Sequence, residues 1–268
     1  MNNFHYLEKQ FQRMGAKVEL RTEVPRRRWG PTSGFSIDIE ETRHGEKFLI
    51  QLRKELIPEY EFQVVDLKPK DRHLVLMARE NGNKEKFLCG HDERHWFVAG
   101  VSQSVRDVEG AMRSLKPVEA ARAQQRRRVK YKDRHKRHNE GFIRQGEWFF
   151  IPRPNFEPKM KFAVLKNEPI SRGGGSKPHM IGELYREGGE TVYVCRQHPQ
   201  GLTEASYKRL LQQNSKAKNF GWRMMRRNPK VFARGTVKHL DHKTIRLPYW
   251  HEVIMNKEEF RHTIYFLD

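Results

Sequence analysis

Residues 73–101 read HLVLMARENGNKEKFLCGHDERHWFVAGV, and this stretch decides the fold class. Three strand-like runs, His73 to Ala78, Glu85 to Cys89 and His95 to Val101, follow one another at hairpin spacing. Asn81-Gly82 between the first two is the residue pair that tolerates positive φ at both centres of a tight hairpin turn. Upstream, Tyr60, Phe62 and Val64 alternate with polar residues, so residues 35–101 are expected to form an antiparallel meander. A helix is expected next, capped by Ser104, with Asp107 in its first turn. Val105, Val108, Met112 and Leu115 share its buried face, and Pro117 ends it. A meander with one covering helix is a complete small unit, which puts a domain boundary near residue 118.

Outward from that unit, residues 1–34 read as a basic N-terminal arm. A short amphipathic segment is followed by Pro25-Arg26-Arg27-Arg28-Trp29-Gly30-Pro31, three guanidiniums and one stacking ring suited to a phosphate backbone. Residues 118–140 read as a basic linker, because like charges four apart oppose a helix unless an anion is bound, and the segment is expected to order on binding. Residues 141–268 read as a C-terminal α+β domain. Its signals are an aromatic strand at Glu147 to Ile151, a flexible basic loop at Ser171 to His179 and a strand at Thr191 to Cys195. Thr203 caps a helix with Leu202 stapled to Tyr207 and with Leu210 and Leu211 on its buried face. A hairpin turns around Leu240-Asp241-His242, and a last strand is expected at Thr263 to Leu267. The whole is an α+β, β-rich chain: two modules of antiparallel strands, each with a covering helix, joined by a basic linker.

Composition narrows the function. The 268 residues are 36% hydrophobic and 11% aromatic, enough to bury a core, and no run of about 18 apolar residues suggests a membrane span. The N-terminal stretch lacks an apolar core and cleavage site of the secretory kind, and two cysteines, Cys89 and Cys195, are too few for an oxidised scaffold. A cytoplasmic location is therefore expected.

Charge points to the partner. The net charge is +20, and two stretches hold most of it. Residues 121–138 carry nine Lys/Arg against the single acid Asp133, and residues 205–238 carry ten Lys/Arg with no acid. Charge placed in this way is the footprint of polyanion binding. The expected nucleic-acid contacts are Arg126, Arg127, Arg128, Lys130, Lys132, Arg134, Lys136 and Arg137 in the first stretch. In the second they are Lys208, Arg209, Lys216, Lys218, Arg223, Arg226, Arg227 and Lys230, with Arg234 and Lys238 beyond. Trp222, with Phe220, offers a stacking platform for unpaired bases, which favours RNA or single-stranded nucleic acid over duplex DNA. Protein partners in a ribonucleoprotein assembly fit the same composition, as does a scaffold that neutralises packed nucleic acid. No membrane partner is expected.

Two further clusters carry candidate chemistry. His91, Asp92, Glu93 and His95 bring acids and imidazoles to one strand connection, the residue types of general acid–base catalysis or of a divalent metal site in a nuclease. Cys195 and His198, followed by His239 and His242, offer two closely spaced ligand pairs for tetrahedral zinc. No cofactor is required by the sequence; zinc or magnesium are the ions these clusters would take. Gly173-Gly174-Gly175-Ser176-Lys177 has the ingredients of a phosphate loop but not its spacing, and Pro178 stands where a helix would have to open.

Overall fold

The structure, a computed structural model, describes residues 2–22, 35–172 and 176–258. It is strand-rich, with several antiparallel sheets and few helices, an α+β architecture. The Arg26 to Trp29 arm, Gly173 to Gly175 and the expected strand at Thr263 to Leu267 lie outside the described residues. The chain divides between Val118 and Glu119 into two compact units, and a return segment from Asn256 belongs to the first.

The first unit comprises α1 (Asn2–Arg13), β1 (Val18–Arg21), β2 (Phe35–Thr42), β3 (Gly45–Leu52), β4 (Tyr60–Lys68), β5 (His73–Glu80), β6 (Asn83–Asp92), β7 (His95–Val101) and α2 (Val108–Ser114). Strands β4 to β7 pair in sequence order as an antiparallel sheet. Asn81 and Gly82 both adopt positive φ, 47° and 85°, and close the β5–β6 hairpin with Glu80 opposite Asn83. Leu74, Leu76 and Ala78 face one core, shared with Phe48, Phe62 and Trp96; Val75 faces another, shared with Val108, Ala111 and Leu115 of the α2 region. Burial on both faces is why this strand reads as a continuous apolar run and not as an alternation.

Two expectations for this unit are corrected. Residues 2–21 are not part of an arm: Leu7, Phe11 and Met14, spaced four and three apart on α1, are buried in the core, and β1 pairs parallel to β3 in a second sheet of order β1-β3-β2. The cap of α2 is Asp107, not Ser104. The Asp107 carboxylate accepts from the Gly110 amide, Asp66 accepts from the Val108 amide, and the Ser104 hydroxyl is instead within 3.0 Å of that of Ser102.

The second unit comprises α3 (Val118–Arg126), β8 (His138–Asn139), β9 (Phe142–Gln145), β10 (Trp148–Pro152), β11 (Leu165–Ile170), β12 (His179–Glu187), β13 (Glu190–Cys195), β14 (His198–Thr203), α4 (Glu204–Gln213), β15 (Arg223–Arg227), β16 (Lys230–Lys238) and β17 (Ile245–Met255). Seven strands form one antiparallel sheet of order β11-β12-β16-β17-β10-β9-β8. Between β12 and β16 the chain leaves that sheet, builds the small sheet β14-β13-β15 with α4, and returns to pair β16 beside β12. In β10, Trp148 and Phe150 pack with Leu184 and Val253, while Phe149 and Ile151 pack with Ala120 and Ala123 of α3.

That last contact corrects the linker. Residues 118–140 are folded onto the second unit, with Ala120, Ala123 and Gln124 buried and the Gln124 side chain donating to the Arg134 carbonyl. Gly141 lies so close to α3 that a Cβ there would stand 2.8 Å from the Gln124 amide nitrogen. Arg126 in the last turn of the helix, with Arg127 and Arg128 just beyond it, sits where exposed carbonyls favour cations. Both cysteines are free and buried, and desolvation pushes the Cys89 thiol up. Among the described residues no helix is long and apolar enough to cross a membrane.

Candidate functional site

The first basic stretch begins at the end of α3. The Val129 amide bonds the Gln124 carbonyl and the Arg128 amide bonds the Gln125 carbonyl, the paired bonds of a Schellman C-cap. This places Arg128 at the left-handed position, φ 53°, normally occupied by glycine, and leaves Arg126, Arg127 and Arg128 exposed. None of the three makes a side-chain hydrogen bond or ion pair among the described residues. Beyond them, Asp133 is hydrogen-bonded by Lys136, and that bond, with the charges of Lys136, Lys132 and Lys130, holds its carboxyl below the usual range. Arg134 donates to the Val129 carbonyl, and Arg137 is half-buried. Tyr131 projects from a short 3-10 turn between Lys130 and Lys132, 66% exposed.

The second stretch spans α4, a 3-10 turn at Ser215–Asn219, β15 and β16. Thr203 caps α4 as its sequence predicts, its hydroxyl accepting from the Ser206 amide. The expected contacts divide into two groups. Lys208 pairs with Glu204, Arg227 with Glu190 and Arg234 with Glu183, while Arg226 donates to the Gly188 carbonyl. Arg209, Lys216, Lys218, Arg223, Lys230 and Lys238 are exposed and make no side-chain hydrogen bond or ion pair among the described residues.

Trp222 is half-buried in an aromatic cluster. Its ring stacks with His198 at 5.5 Å and meets Tyr207 edge-on at 5.0 Å, and Tyr207 stacks on Tyr193 at 4.1 Å. The indole N–H donates to the Ala217 carbonyl. These contacts fasten α4 and the 3-10 turn to β13, so Trp222 and Phe220 are packing anchors and the exposed ring within a basic run is Tyr131. Tyr131 stands in the sequence between two lysines, a signal that a scan for basic–aromatic interleaving would have found.

His91, Asp92, Glu93 and His95 occupy the β6–β7 turn, where Glu93 takes φ 51° and Asp92 pairs with His95. The His95 ring bonds Glu46 of β3, and the same carboxylate accepts from the Trp96 amide. His91 lies edge-on to Trp96, over which the Arg72 guanidinium sits at 4.4 Å. Desolvation first, then the charge of Arg72, lowers the His91 pKa. The arrangement braces the β6–β7 turn against the start of β3, and the four residues do not converge as a metal-ligand set.

The structure separates the two halves of the expected zinc quartet. Cys195 and His198 face each other across the β13–β14 hairpin, whereas His239 and His242 join His179, the first residue of β12. One ring nitrogen from each of His179, His239 and His242 lies within 4.8 Å of the other two. Strand register creates the group: Met180 pairs with Lys238, so the next position outward sets His179 opposite His239, and the β16–β17 turn delivers His242. The His179 and His239 rings stack at 4.1 Å and those of His239 and His242 at 4.6 Å. His179 is 1% exposed, and burial, followed by the neighbouring His239 and His242, lowers its pKa to about 3, so the ring is neutral near pH 7. In the sequence His179 was legible only as the last residue of a basic loop, whereas His239 and His242 stood out as a closely spaced ligand pair.

Compared with known proteins, the chain matches no family model, no curated protein and no solved structure.

Proposed function

We propose that this chain is a nucleic-acid-binding protein, with RNA or single-stranded nucleic acid as its preferred partner, and that the second of its two modules carries the binding surface. Residues 119–255 hold thirty Lys/Arg against twelve Asp/Glu, +18 of the chain's +20, so the first module is close to neutral. The observation that carries the reading is that the two basic stretches present exposed cations with no acidic partner among the described residues, among them Arg126, Arg127, Arg128, Arg209, Lys216, Lys218, Arg223 and Lys230. Exposed cations held away from acids are free to replace the counterions of phosphates, which is the main source of affinity for a polyanion. Tyr131 supplies a stacking face for an unpaired base amid Lys130 and Lys132, which is why single strands are favoured.

The test is a titration of purified, nuclease-treated protein against structured RNA, single-stranded DNA and duplex DNA over a range of salt, each sample then run on a denaturing gel. Eight phosphate contacts on a single strand give a slope of log affinity against log salt of about −6. A steep slope with intact nucleic acid supports a binding module, and tight binding to many sequences without turnover marks an assembly scaffold. Shortening that requires a divalent ion makes the protein a nuclease, and absence of binding at low salt refutes the proposal.

A further inference from the structure

We propose that His179, His239 and His242 form a binding site for a divalent transition-metal ion, zinc by the chemistry of the donors, at the end of the seven-stranded sheet. The inference is independent of nucleic-acid binding.

Nitrogens bound about 2.0 Å from one tetrahedral ion stand about 3.3 Å apart, so three that already lie within 4.8 Å are within reach of one ion once the stacked rings turn their in-plane lone pairs toward it. Neither ring nitrogen of His179 has a hydrogen-bond partner, although the residue is 99% buried from solvent by its 1% exposure. A polar ring taken out of water without a partner loses the hydration it had, a cost that a bonded ligand offsets. His239 holds only long contacts, 3.1 Å from the Asp241 amide to Nδ1 and 3.3 Å between Nε2 and the Lys177 carbonyl, and ligation replaces one of them.

The backbone keeps the space open. Gly146, in the β9–β10 turn, has φ 56°, and a Cβ there would stand 2.8 Å from His242 Nε2 and 3.3 Å from His179 Nε2. A side chain at 146 would therefore fill the volume that two of the imidazoles face. Gln145 and Trp148, on either side of this turn, bury Oε1 and Nε1 without hydrogen-bond partners, and a buried carbonyl oxygen is the kind of acceptor that a ligating imidazole uses for its other N–H.

The donor set selects the ion. Three imidazoles and no thiolate suit zinc and its borderline neighbours, whereas magnesium and calcium require oxygen ligands. Asp241 lies within the turn between His239 and His242, bound to Lys177 at 2.8 Å, and its negative charge acts on His179. Three protein ligands leave a fourth position, and His239 and His242 are only half-buried, so that position opens toward solvent.

The experiment uses the full chain without a polyhistidine tag, stripped by a chelator and titrated with zinc in competition with a metallochromic dye, and with cobalt followed by its visible absorption. The expected result is one zinc per chain, tetrahedral cobalt bands, and affinity at least 100-fold weaker in His239→Ala and in His242→Ala. Loss of one direct ligand should exceed the 10–100-fold cost of losing an outer-shell partner. Both residues are half-buried, so these variants keep the test valid if His179→Ala does not fold. His198→Ala, in the other hairpin, should bind zinc as the parent does. No stoichiometric zinc, equal affinity in the His239 and His242 variants, or a preference for magnesium would overturn the proposal.

Discussion

Replacing Arg126 and Arg127 by Gln and Arg128 by Gly removes three exposed charges from the end of α3 without touching its buried face. On single-stranded nucleic acid each lost phosphate contact lowers the salt slope by about 0.7, so the triple variant should lose about 2 from the slope. Because counterion release vanishes toward 1 M salt, the same loss amounts to about 100-fold in affinity at 0.1 M, with the two binding lines meeting near 1 M. The choice of Gly at 128 guards against an unfolding artefact. An L-residue at φ 53° costs roughly 1–2 kcal/mol, which glycine relieves. Losing the three arginine charges beside the helix C-terminus costs about 0.3–1 kcal/mol each, and the relief at position 128 offsets much of it. Fluorescence anisotropy with a labelled oligonucleotide across a salt series, beside urea denaturation of both proteins, reads both quantities. An unchanged slope in a variant of unchanged stability would refute the role given to these residues.

The remaining predictions concern the scaffold and its electrostatics. Gly146→Ala should destabilise the protein by about 1–2 kcal/mol in urea titrations, from the positive φ alone, and should displace the His242 ring, visible as a shift of its imidazole resonances. Asp107→Ala removes the carboxylate that caps α2 and should cost about 1 kcal/mol, whereas Ser104→Ala should be nearly neutral, since its hydroxyl does not cap the helix. Hydrogen bonds from Arg21 first and Lys47 second hold the Glu40 carboxyl at about 2, below its ordinary 4.5. A depressed acid contributes stability above its unfolded pKa and loses it as pH falls toward the folded value, so denaturation midpoints should drop between pH 4.5 and 2. The drop should be smaller in Glu40→Gln, and an equal drop would remove this carboxylate from the account. Tyr131→Ala should weaken binding to single strands, by about 1–3 kcal/mol if one base stacks on it, and leave the salt slope unchanged.

Much of the first module was legible because its signals are local. Asn81-Gly82 dictates a tight turn through the φ values its two residues tolerate, and Tyr60, Phe62 and Val64 announce a strand by their period. The Thr203 cap and the turn around Asp241 were legible for the same reason, since each involves residues within a few positions of one another. Elsewhere packing overrides the local rules. The like charges of residues 118–140 argued for a linker, but Ala120 and Ala123 are small enough to seat a helix against Phe142 and Phe149, and burial outweighed repulsion between charges that water screens. Likewise Leu7, Phe11 and Met14 carry a helical spacing that matters only because a core exists to receive it.

The sequence by itself determined the charge segregation, the strand-rich class and the residue types available for chemistry, since these follow from composition and near-neighbour spacing. Only the tertiary structure decided which cations are free, because pairs such as Arg227 with Glu190 and Arg234 with Glu183 form across strands whose register no local pattern reveals. The histidine cluster has the same origin. Between His179 and His239 the chain builds a whole small sheet and a helix before β16 returns to β12, and it is that non-local antiparallel pairing that sets the two rings face to face.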